Sequence, residues 1–175
     1  KVLIRAMEHA NDMVYRESTT KESSRGMGTT MVAATLYKDT LYVTNVGDSR
    51  LYIIGNEIRQ ITHDHSLVEE MVRLGKLTKE EGRNHPDKNI ITRAIGAEET
   101  VTVDCFEEKT GIRDVILLCS DGLTNMVSNE QIQQIIKTEK SLQKTAESLV
   151  DTANRNGGRD NITVLLISRK SNEVK

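Results

Sequence analysis

Two aspartates stand next to glycine, or within one turn of it, at the edges of apolar runs. Ser120-Asp121-Gly122 follows residues 115–119, and Gly157-Gly158-Arg159-Asp160-Asn161 precedes residues 162–167. The flanking runs are rich in Val, Ile and Leu and read as strands. Both carboxylates therefore fall at strand ends, where solvent, a cation and a substrate can meet. Carboxylate oxygens suit hard divalent ions such as Mg²⁺ and Mn²⁺, and the nearby glycines let backbone approach an ion closely. A lone Asp-Gly pair is ordinarily a turn; two such turns at strand ends make half of a metal site.

Other residues offer rival chemistry. His63 and His65 alternate onto one face with Asp64 between them, and His85 lies downstream, a set that a zinc hydrolase could use. His85, next to Pro86, reads as a loop residue. Gly26-Met27-Gly28-Thr29-Thr30 has the glycines of a phosphate-cradling loop, but no Lys follows them and the segment leads into a strand. Gly47-Asp48-Ser49-Arg50 reads as a short turn joining two strands. The Asp121 turn is no calcium loop, because Leu123 occupies a ligand position and Ile132 sits where a bidentate Glu is needed.

The elements that must position these residues are legible from periodicity. Val2, Leu3, Ala6, Met7, Ala10, Met13 and Val14 fall at helical spacing, which predicts a helix to about Arg16. The chain opens without Met and without a cap before this helix, so its start reads as the middle of a helix and the chain as a fragment. Residues 29–37, 40–46 and 50–54 read as antiparallel hairpins, followed by a short extended segment at 57–62. Residues 63–89 form a helical insertion: one run over Leu67 to Leu74, a stop at Gly75, and a second short helix capped by Thr78 with Glu81 three residues on. Residues 90–95, 101–106 and 115–119 return to strand patterns. Helices over 129–137 and 142–154, capped by Ser128 and Ser141, precede a last strand over 162–168. The charged tail 169–175 is expected to fray.

At 175 residues the chain suits one domain. Hydrophobic residues make up 37% and charged residues 29%, with net charge −2, the profile of a soluble globular protein. Only 3% of residues are aromatic and Trp is absent, so the core must be aliphatic. The lack of a basic excess and of stacking platforms excludes nucleic acid as a partner. No run approaches a membrane span and no signal segment opens the chain, which makes the cytoplasm the expected location. Cys105 and Cys119 sit in apolar contexts and read as buried, unpaired thiols.

Six segments in order carry a resemblance: Gly26-Met27-Gly28-Thr29-Thr30, Gly47-Asp48-Ser49-Arg50, Asp64-His65-Ser66, Ile91-Thr92-Arg93-Ala94-Ile95-Gly96, Ser120-Asp121-Gly122 and Gly158-Arg159-Asp160-Asn161. From the first helix to Ser168 the chain resembles the bacterial metal-dependent serine/threonine protein phosphatases of type 2C. The resemblance implies an α+β fold, an antiparallel β-sandwich flanked by helices in four α-β-β-α layers. It implies hydrolysis of protein phosphoserine and phosphothreonine by a water held between two Mn²⁺ or Mg²⁺ ions, without a phosphoenzyme, opposing a serine/threonine kinase. Asp121 and Asp160 match ligands of one ion of the pair; Asp64 matches the residue that, with Asp121, holds an additional third ion. Residues 63–89 resemble the family's flap. The family's phosphate-binding Arg and the Asp that bridges the two ions do not occur in this chain. It is therefore read as a partial catalytic domain, N-terminally truncated, weak or inactive on its own. The alternatives are a non-catalytic module that binds a phosphoprotein or a partner on the same scaffold, and a zinc hydrolase using His63 and His65.

Overall fold

The aliphatic runs build two small sheets, and helices cover part of their apolar surface. The computed structural model describes residues 1–139 and 141–169; the expected fraying of the tail concerns residues that lie, beyond Arg169, outside the described ones. In chain order the elements are α1 (Val2–Thr20), β1 (Met31–Tyr37), β2 (Thr40–Val46), β3 (Arg50–Ile54), β4 (Ile58–Gln60), α2 (Leu67–Arg73), α3 (Lys79–Arg83), β5 (Asp104–Lys109), β6 (Val115–Cys119), α4 (Asp121–Thr124), α5 (Asn129–Thr138), α6 (Leu142–Arg155) and β7 (Val164–Ser168). One sheet has the order β1-β2-β5 and the other β4-β3-β6-β7. In the second, β3 pairs antiparallel with β4 and β6, and β6 with β7. This is the α+β class with antiparallel sheets that the run of strands and paired helices predicts.

The chain packs as two units. The first comprises residues 1–35, 42–49 and 62–107; the second comprises 36–41, 50–61 and the chain from Glu108 onward. In the second, Tyr52, Ile54, Leu117, Cys119, Leu123, Val127, Ile132, Leu149 and Ala153 form a continuous buried core. Leu149 and Ala153 recur one turn apart on α6 with Thr145, the buried stripe of an amphipathic helix. Ser128 caps α5 in a capping box with Gln131, and Ser141 caps α6 by accepting from the Lys144 N–H, as the sequence predicts. In the first unit Met7, Val46 and Ile95 pack with Ala10, Val14, Met31 and Ala33. The α2–α3 pair also forms as expected, with Ser66 capping α2 and the Thr78–Glu81 capping box opening α3.

Several boundaries depart from the sequence reading. Helix α1 continues to Thr20, and in this last stretch Ser18, Thr19 and Thr20 turn their hydroxyls back onto the carbonyls of Tyr15 and Arg16. Met13, placed on the apolar face by its spacing, is 58% exposed. β2 and β3 are not a hairpin: the Gly47-Asp48-Ser49 turn passes the chain from one sheet to the other. Both strands are buried on nearly every residue, so no alternation marked which partner each would take. Residues 90–95 form no strand; Ile91 and Ile95 make isolated bridges to Ser66 and Thr29, two different partners. β5 starts three residues later than predicted and runs through Glu107, Glu108 and Lys109, because at a sheet edge alternate residues face solvent and can be charged. Cys119 is buried as expected, but Cys105 lies on the exposed side of β5.

Leu149, fully buried where α6 meets the second sheet, provides a test of this core. Leu149→Ala should lower unfolding free energy by about 2–5 kcal/mol, read from denaturant midpoints at unchanged slope.

Candidate metal centre

Antiparallel pairing of β6 with β7 sets Cys119 opposite Val164, and the chain on either side of this last pair carries the two aspartates. The Ser120 N–H donates to the Thr163 carbonyl at 3.2 Å, so the ladder continues one step past the strands. The Ser120 hydroxyl accepts from the Thr163 N–H at 2.9 Å and donates to the Asn161 carbonyl at 3.1 Å. That hydroxyl is thus committed across the strands, and α4 starts at Asp121 without a side-chain cap bond from Ser120.

Gly122 makes the closest approach. A Cβ built on it would collide with the Asn161 carbonyl oxygen and lie 3.0 Å from its carbon and 3.5 Å from the Asp160 carbonyl carbon. Only a residue without a side chain brings the start of α4 against the Asp160-Asn161 peptide. The structure therefore brings Asp121 and Asp160 together by backbone contact. Asp121 is half-buried at the first position of α4, and its Oδ2 accepts from Asn125 Nδ2 at 3.0 Å. Asp160 is exposed, and its Oδ1 accepts from the Asn161 N–H at 2.7 Å, which turns the carboxylate back over its own loop. The sequence predicted a turn at Asp121; the structure makes it a single helical turn closed by the Asn125 N–H on the Asp121 carbonyl at 2.8 Å.

Asp64 belongs to the first unit, half-buried just before the α2 cap Ser66. Its histidine neighbours do not form a zinc pair. The His65 Nδ1 accepts from the Gly47 N–H at 2.9 Å and its Nε2 faces Asp104 Oδ2 at 3.1 Å, so both nitrogens are engaged. His63 is exposed and its ring meets Phe106 edge-on at 5.5 Å. His85 is a loop residue, as expected, with Nδ1 accepting from the Asp87 N–H. Burial pushes the Asp104 carboxyl up, but the hydrogen bonds from His65 and Arg93 outweigh it and leave the group below the ordinary carboxylate range.

Sequence reasoning named Asp121, Asp160 and Asp64 but missed what supports them. Gly122 and Ser120 stood beside Asp121, yet their partner at Asn161 is far along the chain. Among the described residues no three or more His, Cys, Asp or Glu side chains cluster closely enough to hold a metal ion. The donor set still fits a hard divalent cation: carboxylates on a glycine-bordered strand end, with neither thiol nor free imidazole among them.

The profile of the family described as Protein phosphatase 2C matches residues 1–162. The serine/threonine phosphatase stp of Listeria welshimeri is 45% identical over 95% of this chain and 67% of its own length. The protein phosphatase PhpP of Streptococcus pneumoniae is 42% identical over 88% of this chain and 63% of its own. Among solved structures, serine/threonine phosphatase Stp1 of Staphylococcus aureus superposes with a TM-score of 0.93 at 35% identity, covering 97% of this chain and 67% of that one. The catalytic domain of the phosphatase PstP, in complex with two manganese ions, superposes with a TM-score of 0.79 at 32% identity over 89% of this chain and 65% of its own. The fold and these matches define a serine/threonine protein phosphatase of a metal-dependent kind. The chain belongs to the protein phosphatase 2C family, among its bacterial members, and spans about two thirds of the length of these relatives.

Gly122→Ala tests the backbone contact that joins the two aspartates. The added methyl cannot be accommodated against a carbonyl oxygen, so the variant should lose several degrees of melting temperature and shift the amide resonances of Asp160 and Asn161. Unchanged resonances there would contradict the contact.

Proposed function

We propose that this chain forms part of the site at which a phosphoprotein phosphatase hydrolyses phosphoserine and phosphothreonine, opposing a serine/threonine kinase. The carrying observation is the contact of Gly122 with the Asp160-Asn161 peptide, which gathers Asp121 and Asp160 at one strand end. Two Mn²⁺ or Mg²⁺ ions, when bound, supply Lewis-acid activation of an attacking water and neutralise charge on the phosphoryl group. In this reading Asp121 and Asp160 are ligands of one ion of that pair, and Asp64 is a ligand of a weaker additional ion. Asn125 donates to Asp121 Oδ2 and so orients the carboxylate. The Ser120 hydroxyl holds the two strand ends in register, so that neither aspartate must be ordered when an ion arrives.

Residues 63–89, with the α2–α3 pair, serve as a flap that meets the substrate. The expected setting is the cytoplasm; no helix among the described residues is long and apolar enough to cross a membrane. The resemblance of PstP, whose solved form holds two manganese ions, supports the two-metal reading.

Asp121→Asn should abolish Mn²⁺-dependent hydrolysis of a phosphothreonine peptide in the full-length protein that carries this chain, leaving its circular dichroism unchanged. Retained turnover would remove the metal assignment. Asp64→Ala should leave the tighter ions in place and cost one weak site in a calorimetric Mn²⁺ titration; an unchanged titration would count against Asp64 as a ligand.

A further inference from the structure

Asp64 is bracketed by two residues whose backbones are pinned from the protein interior. On one side Asn45, fully buried, donates through Nδ2 to the His63 carbonyl at 3.0 Å and to the Gly47 carbonyl at 3.1 Å. On the other, His65 is only 9% exposed and uses its backbone as well as its ring. Its N–H donates to the Gly47 carbonyl at 3.0 Å and its carbonyl accepts from the Thr92 N–H at 2.8 Å. The ring adds the Gly47 N–H on Nδ1 and Asp104 on Nε2. A surface turn needs none of this. Four chain segments meet at one residue, through its ring and its backbone: the β2–β3 turn, the entry to α2, the stretch around Thr92 and strand β5.

The ring's tautomer follows from its partners. A backbone N–H can only donate, so Nδ1 carries no hydrogen, and the proton of the neutral ring sits on Nε2, aimed at Asp104 Oδ2. Arg93 Nη1 lies 2.8 Å from that nitrogen and cannot donate to it; it donates instead to Asp104 Oδ1 at 2.8 Å and to the Thr102 carbonyl at 3.1 Å. Two donors brought this close are tolerable because one carboxylate receives both. Gly47 completes the arrangement. Its φ of +105° lies in the left-handed region, and a Cβ there would collide with the Thr30 side chain, so the residue that addresses Nδ1 must be glycine.

We propose that His65 is a positioning residue for the phosphatase site: its ring, held in the Nε2–H tautomer between Gly47 and Asp104, fixes the backbone from which Asp64 presents its carboxylate to a divalent cation. The proposal rests on the reading of Asp64 as a metal ligand. A planar ring with two torsions spans from the turn to β5 without the freedom of a longer chain, which is what presenting a ligand in one place requires.

Two near-isosteric substitutions separate the ring's two bonds. Asn at this position keeps an acceptor near Nδ1 and loses the donor; Gln keeps a donor near Nε2 and loses the acceptor. In the full-length protein, amide hydrogen exchange read by NMR should show Gly47 protected in His65→Asn and exchanging at least about tenfold faster in His65→Gln, with α6 amides unchanged in both. Mn²⁺ titration should weaken at the additional site by roughly 10–100-fold in His65→Gln, and less in His65→Asn. Nitrogen-15 shifts of the wild-type ring should report the Nε2–H tautomer. A proton on Nδ1, equal Gly47 exchange in the two variants, or a uniform loss of protection throughout the first unit would each overturn the positioning role. Failure of the metal reading is distinguishable, because it appears as an unchanged titration in Asp64→Ala whatever the exchange shows.

Discussion

The approach of Gly122 to the Asn161 carbonyl is the constraint on which the β6–β7 end of the second unit depends. β6 is the inner strand between β3 and β7, and its register with both is complete from Val115 to Cys119. What happens beyond that last pair is decided by backbone sterics: α4 can begin at once only if its second residue has no side chain. The Ser120 hydroxyl then takes over the role of ladder partner for one more step. On the rim of this aliphatic sheet the Ser120 N–H and hydroxyl and the Thr163 N–H and carbonyl are thereby all paired.

The two units solve the same positioning problem with different materials. In the second, packing does most of the work, with Leu117, Leu123 and Leu149 fully buried beneath the strand end that bears Asp121. In the first, a hydrogen-bonded set around His65, Asn45 and Gly47 holds the segment before α2, and Asn11 of α1 does the same for the next loop, accepting from the Gly96 N–H and donating to the carbonyls of Glu98 and Glu99. Buried polar sets of this kind tolerate few alternative geometries, because each unmade bond strands a desolvated group.

Much of this was legible in the sequence where local rules govern. Strands β2, β3 and β6 were read residue for residue, and the caps at Thr78, Ser128 and Ser141 were identified, because periodicity and capping are written in neighbouring residues. The failures lie where partners are distant. β3 leaves its apparent hairpin partner for β6, residues 90–95 divide their bonds between two segments, and nothing near Asp104 announces that it will meet His65 and Arg93. Asp121 and Asp160 stand out in the sequence because strand ends and glycine turns are local features. Their support was not, since Asn161 and Ser120 recognise each other only after the sheet has formed.

The second unit is interrupted: the chain leaves it after Ile61, spends residues 62–107 elsewhere, and returns at Glu108. Arg59 and Glu108 close this excursion at its base with an ion pair of 3.2 Å. Closing a loop that is already long grows costlier only slowly, by about 0.6 kcal/mol for each doubling of length. Insertions or deletions between α2 and β5 therefore weigh little on the pairing of β3 with β6. The α2–α3 segment can therefore be lengthened, shortened or redecorated while the strand end that carries Asp121 and Asp160 keeps its register, a tolerance that follows from connectivity alone.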